Sequence, residues 1–440
     1  MRIYIITILF LLLFTKGCNS INELKYNNEV EYVFAMGRVI DGYTNKMSFS
    51  QADSINIFLN ADTIWENVSV PIFDINGNIV SEILTNLFPQ TMSEDKPWEN
   101  GYEYLKTTTI KTEGLKSGIY LIDNKIPFII KPENVVDAII IYPSNTSNAY
   151  NKNEGYSLYT NPRAYKLSFH RQQNMPRFSL EFFKWVNTLN YNFGYFCDYD
   201  LDKESTYALS DLIIIPGHSE YWSRSAREKF DEFINNGNDA MILSGNNMWW
   251  QVRYENDGDQ LVCYKDSELD PIDDLSLKTI NWHRTMLDYS IIESIGCDFH
   301  NGGYGVEYDD NGWDGYKILL PNSPIFQGLD IDTNQVISIP SVEYDATPVI
   351  NISDDGTPEV DAEQFYKYNL LGFDRAKRGN PGKFGTFIVM KKMEHSGVII
   401  NAATTDWCNE GLLNKDSILI KSITLNMISL LKNDSDIFIE

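Results

Sequence analysis

After Pro216-Gly217 the chain places a histidine, a glutamate, a tyrosine and a tryptophan in close succession: His218, Glu220, Tyr221 and Trp222. The lead-in is the β-branched apolar run Ile213-Ile214-Ile215, which reads as a buried strand. A carboxylate two residues from an imidazole can share a metal site with it, or act with it as acid and base on one substrate. The spacing also suits a helix start, in which His218 caps, Glu220 meets the positive end of the helix and Tyr221-Trp222 pack. Either way the groups sit at the carboxyl end of a strand, where open α/β sheets hold their ligands.

A second group follows an earlier apolar strand. Tyr142-Pro143-Ser144-Asn145-Thr146-Ser147-Asn148-Ala149-Tyr150-Asn151 leads to Glu154-Gly155-Tyr156-Ser157-Leu158-Tyr159. Tyrosines among small polar residues could stack on a sugar or give phenolate oxygens to a metal; a surface loop with packing tyrosines is the more common explanation of such a pattern. Several chemistries are missing. The strand over 240–243 ends in Ser244-Gly245-Asn246-Asn247-Met248, with no Gly-x-Cys-x-Gly or Gly-x-Ser-x-Gly elbow, so a serine or cysteine nucleophile of the usual α/β kind is not expected. No P-loop or GxGxxG pattern supports a nucleotide cofactor. Trp249-Trp250 read as core and cleft wall, with Arg253 available to hold a carboxylate.

The elements that must position these groups fall into two patterns. Residues 18–134 carry short alternating segments at 54–59, 68–73, 104–110, 119–122 and 127–130, separated by turns such as Asp74-Ile75-Asn76-Gly77, which predicts a small all-β, Ig-like sandwich. From 135 to 440 continuous apolar strands at 137–142, 192–197, 211–215 and 240–243 alternate with helical periods at 179–190 and 223–236, and a late strand at 397–401 precedes a helix at 418–431. This alternation predicts a doubly wound α/β domain. Between them, 246–347 reads as a long loop-rich segment.

The chain has 440 residues and a net charge of −25, from 61 acidic and 36 basic side chains. So acidic a protein lacks the basic stripe that nucleic acid requires. Residues 1–17 read as a signal peptide: Arg2 is the positive flank, an apolar stretch follows, and Gly17-Cys18 resembles a bacterial lipobox. Cleavage there removes Arg2 and Lys16, deepens the charge by two, and leaves Cys18 to be lipidated, which predicts a lipid-anchored protein of the bacterial cell envelope, on its periplasmic or outer-surface side. Cys197, Cys263, Cys297 and Cys408 are far apart in sequence and form no CxxC motif; buried free thiols are expected, although Cys263 and Cys297 share a region in which they could pair.

Three segments together resemble one family: Pro143-x-Asn145-Thr146-x-x-Ala149-Tyr150-Asn151 with Ser157-Leu158-Tyr159; Gly217-His218-x-Glu220-Tyr221-Trp222; and Ser244-Gly245-Asn246-Asn247 running on to Val252-Arg253 and Val262-Cys263-Tyr264-Lys265. They are similar to the C-terminal domain of the N,N-dimethylformamidase large (β) subunit. The resemblance implies a glutamine-amidotransferase-like fold without the cysteine nucleophile. It also implies a mononuclear iron (Fe3+) held by two tyrosinates and a glutamate, which by motif are Tyr150, Tyr159 and Glu220, with Tyr156 an alternative to Tyr159. His218 would be the catalytic acid or base beside them. Phenolate and carboxylate are hard anionic donors that suit ferric iron better than zinc. The function expected is hydrolysis of an amide or related C–N bond in a small molecule or glycan derivative, with membrane contact only through the lipid. The alternative is a non-enzymatic glycan-binding lipoprotein, in which the tyrosines and Trp249-Trp250 stack on sugars.

Overall fold

A computed structural model describes residues 24–25, 31–305, 312–376 and 383–439. The signal segment and Cys18 lie outside the described residues. No helix among the described residues is long and apolar enough to cross a membrane.

The N-terminal part is built on period-two alternation. In Ser54–Ala61 the side chains of Ile55, Ile57, Leu59 and Ala61 are buried and those between them are not, as a strand with one face on a core requires. That strand lies between Val39–Thr44 and Thr108–Lys111 in a three-stranded sheet. Its apolar face meets Val68, Val70, Ile72, Ile122, Phe128 and Ile130 of a second, larger sheet. The Asp74-Ile75-Asn76-Gly77 turn joins Trp65–Asp74 to Ile79–Leu87; the Asp74 carboxylate accepts from the Asn76 and Asn78 N–H groups, and Gly77 takes a φ of 85° that only glycine adopts freely. Part of the other face of this larger sheet is also covered: Ile119, Leu121 and Ile129 pack with Phe182, Phe183 and Tyr195 of the following part. Buried Asp200 pins the two parts together, accepting from Ser48 at 2.6 Å and pairing with Lys131 at 3.1 Å.

The rest is organised by one nine-stranded sheet. Its strands are β1 (Ala138–Tyr142), β2 (Phe193–Cys197), β3 (Leu212–His218), β4 (Asp239–Gly245), β5 (Gly315–Ile318), β6 (Val336–Ser338), β7 (Lys367–Arg375), β8 (Phe384–Lys391) and β9 (Val398–Asn401), in the spatial order β2-β1-β3-β4-β9-β8-β7-β5-β6. The first five of that order are parallel. Every residue of β1, β2 and β3 is buried, the mark of strands covered on both faces. Ile140, Tyr142, Ile214 and Met241 face α2 (Leu180–Val186) and the last helix, Ser417–Lys432. Ile139, Ile141, Ile213 and Ile242 face α3 (Arg224–Asn235). The start of α3 is set by Ser223, whose hydroxyl accepts from the Ala226 N–H at 3.0 Å, and its inner stripe is Ala226, Phe230, Phe233 and Ile234.

The expected doubly wound α/β domain is not what the chain forms. From β9 the sheet continues through β8, β7, β5 and β6, all antiparallel. The described residues hold eight α-helices, most of four to seven residues, and the whole is strand-rich, with 35% strand against 19% helix. A doubly wound sheet needs a substantial helix on each crossover. Between β4 and β9 the chain instead spends residues 246–397 on strands, loops and helices no longer than the five residues of Ile291–Ile295. The alternation that predicted that fold holds only for 135–245, and the antiparallel strands lack its signature: β7 has a register shift between Leu370 and Gly372 that breaks its period.

Phe230 is fully buried and sits edge-on to Trp222 at 5.9 Å. Phe230→Ala is expected to cost about 3–5 kcal/mol of stability, read as a lower urea midpoint at unchanged slope.

Candidate functional site

The site forms where two strand ends meet. Immediately after β1 the chain turns into α1 (Ser144–Tyr150), whose last residue is Tyr150. Asn145 fixes this turn: its N–H donates to Asp198 at 2.7 Å, and its side-chain amide donates to the Tyr221 carbonyl at 3.0 Å. The Thr146 hydroxyl accepts from the Glu220 N–H at 2.9 Å. The Asn145-Thr146 pair therefore sews the first strand-end loop to the one after β3. Gly217 is required between His218 and the strand. Its φ is 78°, and a Cβ would collide with the Ser179 hydroxyl and lie 2.8 Å from the Phe178 carbonyl carbon. Tyr159 is delivered by a loop held at the Leu158 N–H, which donates to the Ala149 carbonyl at 3.0 Å.

These loops converge on Glu220, whose carboxylate is only 3% exposed. Tyr150 donates its hydroxyl to Oε2 at 2.9 Å, and Tyr159 donates at 2.8 Å to Oε1 and 3.0 Å to Oε2. The two phenol rings stack at 4.1 Å. Trp250 donates its indole N–H to Oε1 at 3.0 Å, and Tyr221 donates to the Tyr159 oxygen at 2.7 Å. His218 Nε2 lies 3.3 Å from Glu220 Oε2 and 3.7 Å from Glu343 Oε2, while its Nδ1 is 2.9 Å from the Gly245 carbonyl. Lys265 stands 3.7 Å above the Tyr159 ring.

The electrostatics follow from this packing. Burial alone would lower the His218 pKa, but the hydrogen bond to Glu220 and the charge of Glu343 outweigh it and hold the imidazole at about 9. Burial raises the Glu220 carboxyl, and His218 and Lys265 bring it below its usual range. Glu343 is pushed up by burial and by the Glu220 charge, against the pull of His218. Burial and the charge of Glu220 push both the Tyr150 and Tyr159 phenols well up. At neutral pH the centre is thus an imidazolium and a carboxylate with two neutral phenols donating inward.

All four residues singled out by motif, Tyr150, Tyr159, Glu220 and His218, come together. Tyr156 does not join them; it packs edge-on against Trp98 at 4.6 Å. Tyr221, which the sequence would class with Trp222 as cleft wall, contributes its hydroxyl. Trp250, also read as wall, contributes its N–H. Arg253 holds the Asp270 carboxylate at 2.8 Å, away from the centre. The four cysteines are buried free thiols. Glu343 was not legible: it comes from the short strand Glu343–Ala346, paired with Asp298–Tyr304, inside the segment that reads as loop. The turn after β4 carries no nucleophile and leads into another strand, Trp250–Glu255. Asn246 takes a φ of 50°, its N–H and that of Asn247 donate to the Asp345 carboxylate at 2.9 and 3.0 Å, and its side chain donates to Glu343 at 3.1 Å.

The donor set fits the ion that the motifs imply. Among the described residues no group of three His, Cys, Asp or Glu side chains is placed to hold a metal. Tyr150, Tyr159 and Glu220 draw two donors from outside those types, and their oxygens, hard donors of the kind ferric iron prefers, lie within hydrogen-bonding distance of one another.

The family model described as N,N-dimethylformamidase beta subunit-like, C-terminal, matches residues 78–415, and the chain belongs to that family. The match begins inside the N-terminal β region rather than at its end. Among solved structures, a ThuA-like protein from Bacteroides uniformis ATCC 8492 is similar over 69% of this chain and 95% of that one, at 12% identity and a TM-score of 0.35, a likeness too distant to bear on the site. No curated protein matches the chain.

Replacing Glu220 by Gln removes the nearest carboxylate from His218. The imidazole pKa of the metal-free protein, about 9 in the native chain, is expected to fall by about 1–2 units, measured from the imidazole proton NMR shift. An unchanged value would assign the shift to Glu343 instead.

Proposed function

We propose that this protein is an exported hydrolase of an amide or related C–N bond, with ferric iron held by Tyr150, Tyr159 and Glu220 and with His218 handling the proton. The observation that carries this reading is the convergence of both phenol hydroxyls, at 2.8–3.0 Å, on one buried carboxylate beside an imidazole. Membership of a family described by an amide-cleaving enzyme supports it.

A cavity of about 410 Å³ opens onto Tyr150, His218 and Glu343, large enough for a small substrate. Amide hydrolysis adds water at the acyl carbon and breaks the C–N bond, and the departing amine must gain a proton. His218 lines this cavity and, as an imidazolium, can give that proton from Nε2. Glu343 faces the same nitrogen and can take up the proton that the attacking water loses and return it to the imidazole between turnovers. Glu220 keeps the imidazole charged and oriented, and the Gly245 carbonyl fixes its other nitrogen. A bound ferric ion supplies Lewis acidity toward a carbonyl and lowers the pKa of water. Glycan stacking has weaker support here. Tyr150 and Tyr159 already stack on each other, and Lys265 lies over the rings of both Tyr159 and Trp250.

Purified protein is expected to contain about one iron per chain and to show a visible phenolate-to-iron absorption band. Tyr150→Phe should abolish the band. His218→Asn should keep iron and band while amide hydrolysis falls by about 10²–10⁴-fold. Iron-free, colourless native protein would overturn the iron assignment. For export, Cys18→Ser is expected to end palmitate labelling and to move the protein from the membrane to the soluble fraction.

A further inference from the structure

Pro176-Arg177-Phe178-Ser179 forms one wall of the cavity that reaches His218. The turn is rigidly seated. Ser179 N–H donates to the Pro176 carbonyl at 3.0 Å, and the Ser179 hydroxyl donates to the Pro216 carbonyl of β3 at 3.0 Å. Gly217 lets Phe178 lie directly against the strand end. Phe178 then bridges two groups: its ring is 4.3 Å from the Arg177 guanidinium carbon and 5.7 Å, edge to face, from the His218 ring.

Arg177 is exposed, and it has no hydrogen bond or ion pair among the described residues, in a chain whose 61 acidic side chains far outnumber its 36 basic ones. Asp406, a carboxylate within reach of its charge, is spent elsewhere, accepting from the Val342 N–H at 2.8 Å and the Thr405 hydroxyl at 2.7 Å. No other lysine or arginine lines the cavity. Ser147, on the same lining, has a buried hydroxyl with no partner, which is costly unless something in the cavity completes it.

We infer that Arg177 determines specificity at this site, and that the ligand is a small amide bearing a carboxylate. The carboxylate meets the guanidinium, a short spacer runs along Phe178, the amide reaches His218, and Ser147 donates to a ligand oxygen. Guanidinium offers a planar fork that fits a carboxylate. This rests on the hydrolase reading for what happens to the amide, but not for recognition of the anion.

The test uses the full-length protein and two matched ligands, N-acetylglycine and the neutral N-propylacetamide, with binding followed by calorimetry and cleavage by amine release. Native protein is expected to bind the acid about 10–100-fold more tightly than the neutral amide and to show the same ratio in KM. Arg177→Gln should collapse both ratios toward one, and Arg177→Lys should restore part of them, because it keeps the charge without the fork. Equal binding of acid and neutral amide by native protein, no binding of the acid, or an undiminished ratio in Arg177→Gln overturns the inference. Arg177-dependent binding without cleavage of either ligand upholds it and counts against the hydrolase reading. Cleavage of both with no charge preference does the reverse.

Discussion

A carboxylate with almost no access to water has to be solvated by the protein, and that requirement at Glu220 organises the centre of this molecule. An isolated buried carboxylate would cost several kcal/mol or would take up a proton. Here it stays ionised because the imidazolium of His218 pairs with it and Tyr150, Tyr159 and Trp250 donate to it. Each donor comes from a different stretch of chain: α1, the loop after it, and the strand Trp250–Glu255. The fold must bring these stretches to one point before the charge is tolerable, so the carboxylate and the architecture around it are mutually dependent. The same crowding pushes the phenols up: neutral, they donate to Glu220; ionised without a cation, they would repel it.

The architecture serves this by dividing labour within one sheet. The parallel strands β1, β3 and β4 are buried on both faces and end at the same edge, so their following loops are carried by the stiffest part of the molecule. The antiparallel half contributes no motif. It backs the core with Phe387, Val389 and Leu371, while the neighbouring strand Glu343–Ala346 delivers Glu343 and Asp345. The N-terminal sheets share core with this part and meet it again at Asp200, so they brace the site-bearing half rather than standing apart from it.

What the sequence revealed and what it hid follow from the range of the forces involved. Tyr150, Glu220 and His218 follow continuous apolar strands, and local pattern is enough to place such residues at strand ends. The helical period over 223–236, which becomes α3, was legible for the same reason. Glu343 was hidden because its position depends on pairing with Asp298–Tyr304, a non-local register with an irregularity between Asp298 and Gly303, and no local period announces it. Tyr221 was misjudged because its neighbour Trp222 is a core residue. Alternation along a strand sends adjacent side chains to opposite faces, and Tyr221 faces the carboxylate. The mixed sheet was missed because β5 and β6 are only four and three residues long, too short for alternation to register, and a bulge disrupts β7.

The turn at Asn246 separates shape from chemistry. Its left-handed backbone is held by the grip of Asp345 on two successive N–H groups and by crowding at Gly245, where a Cβ would lie 2.6 Å from the Thr405 nitrogen. Neither constraint involves the side chain that the turn presents. The side chain is left free for other work, and Asn246 uses it to donate to Glu343. An asparagine, which tolerates that conformation well, is then a settled occupant of a position whose geometry does not depend on it.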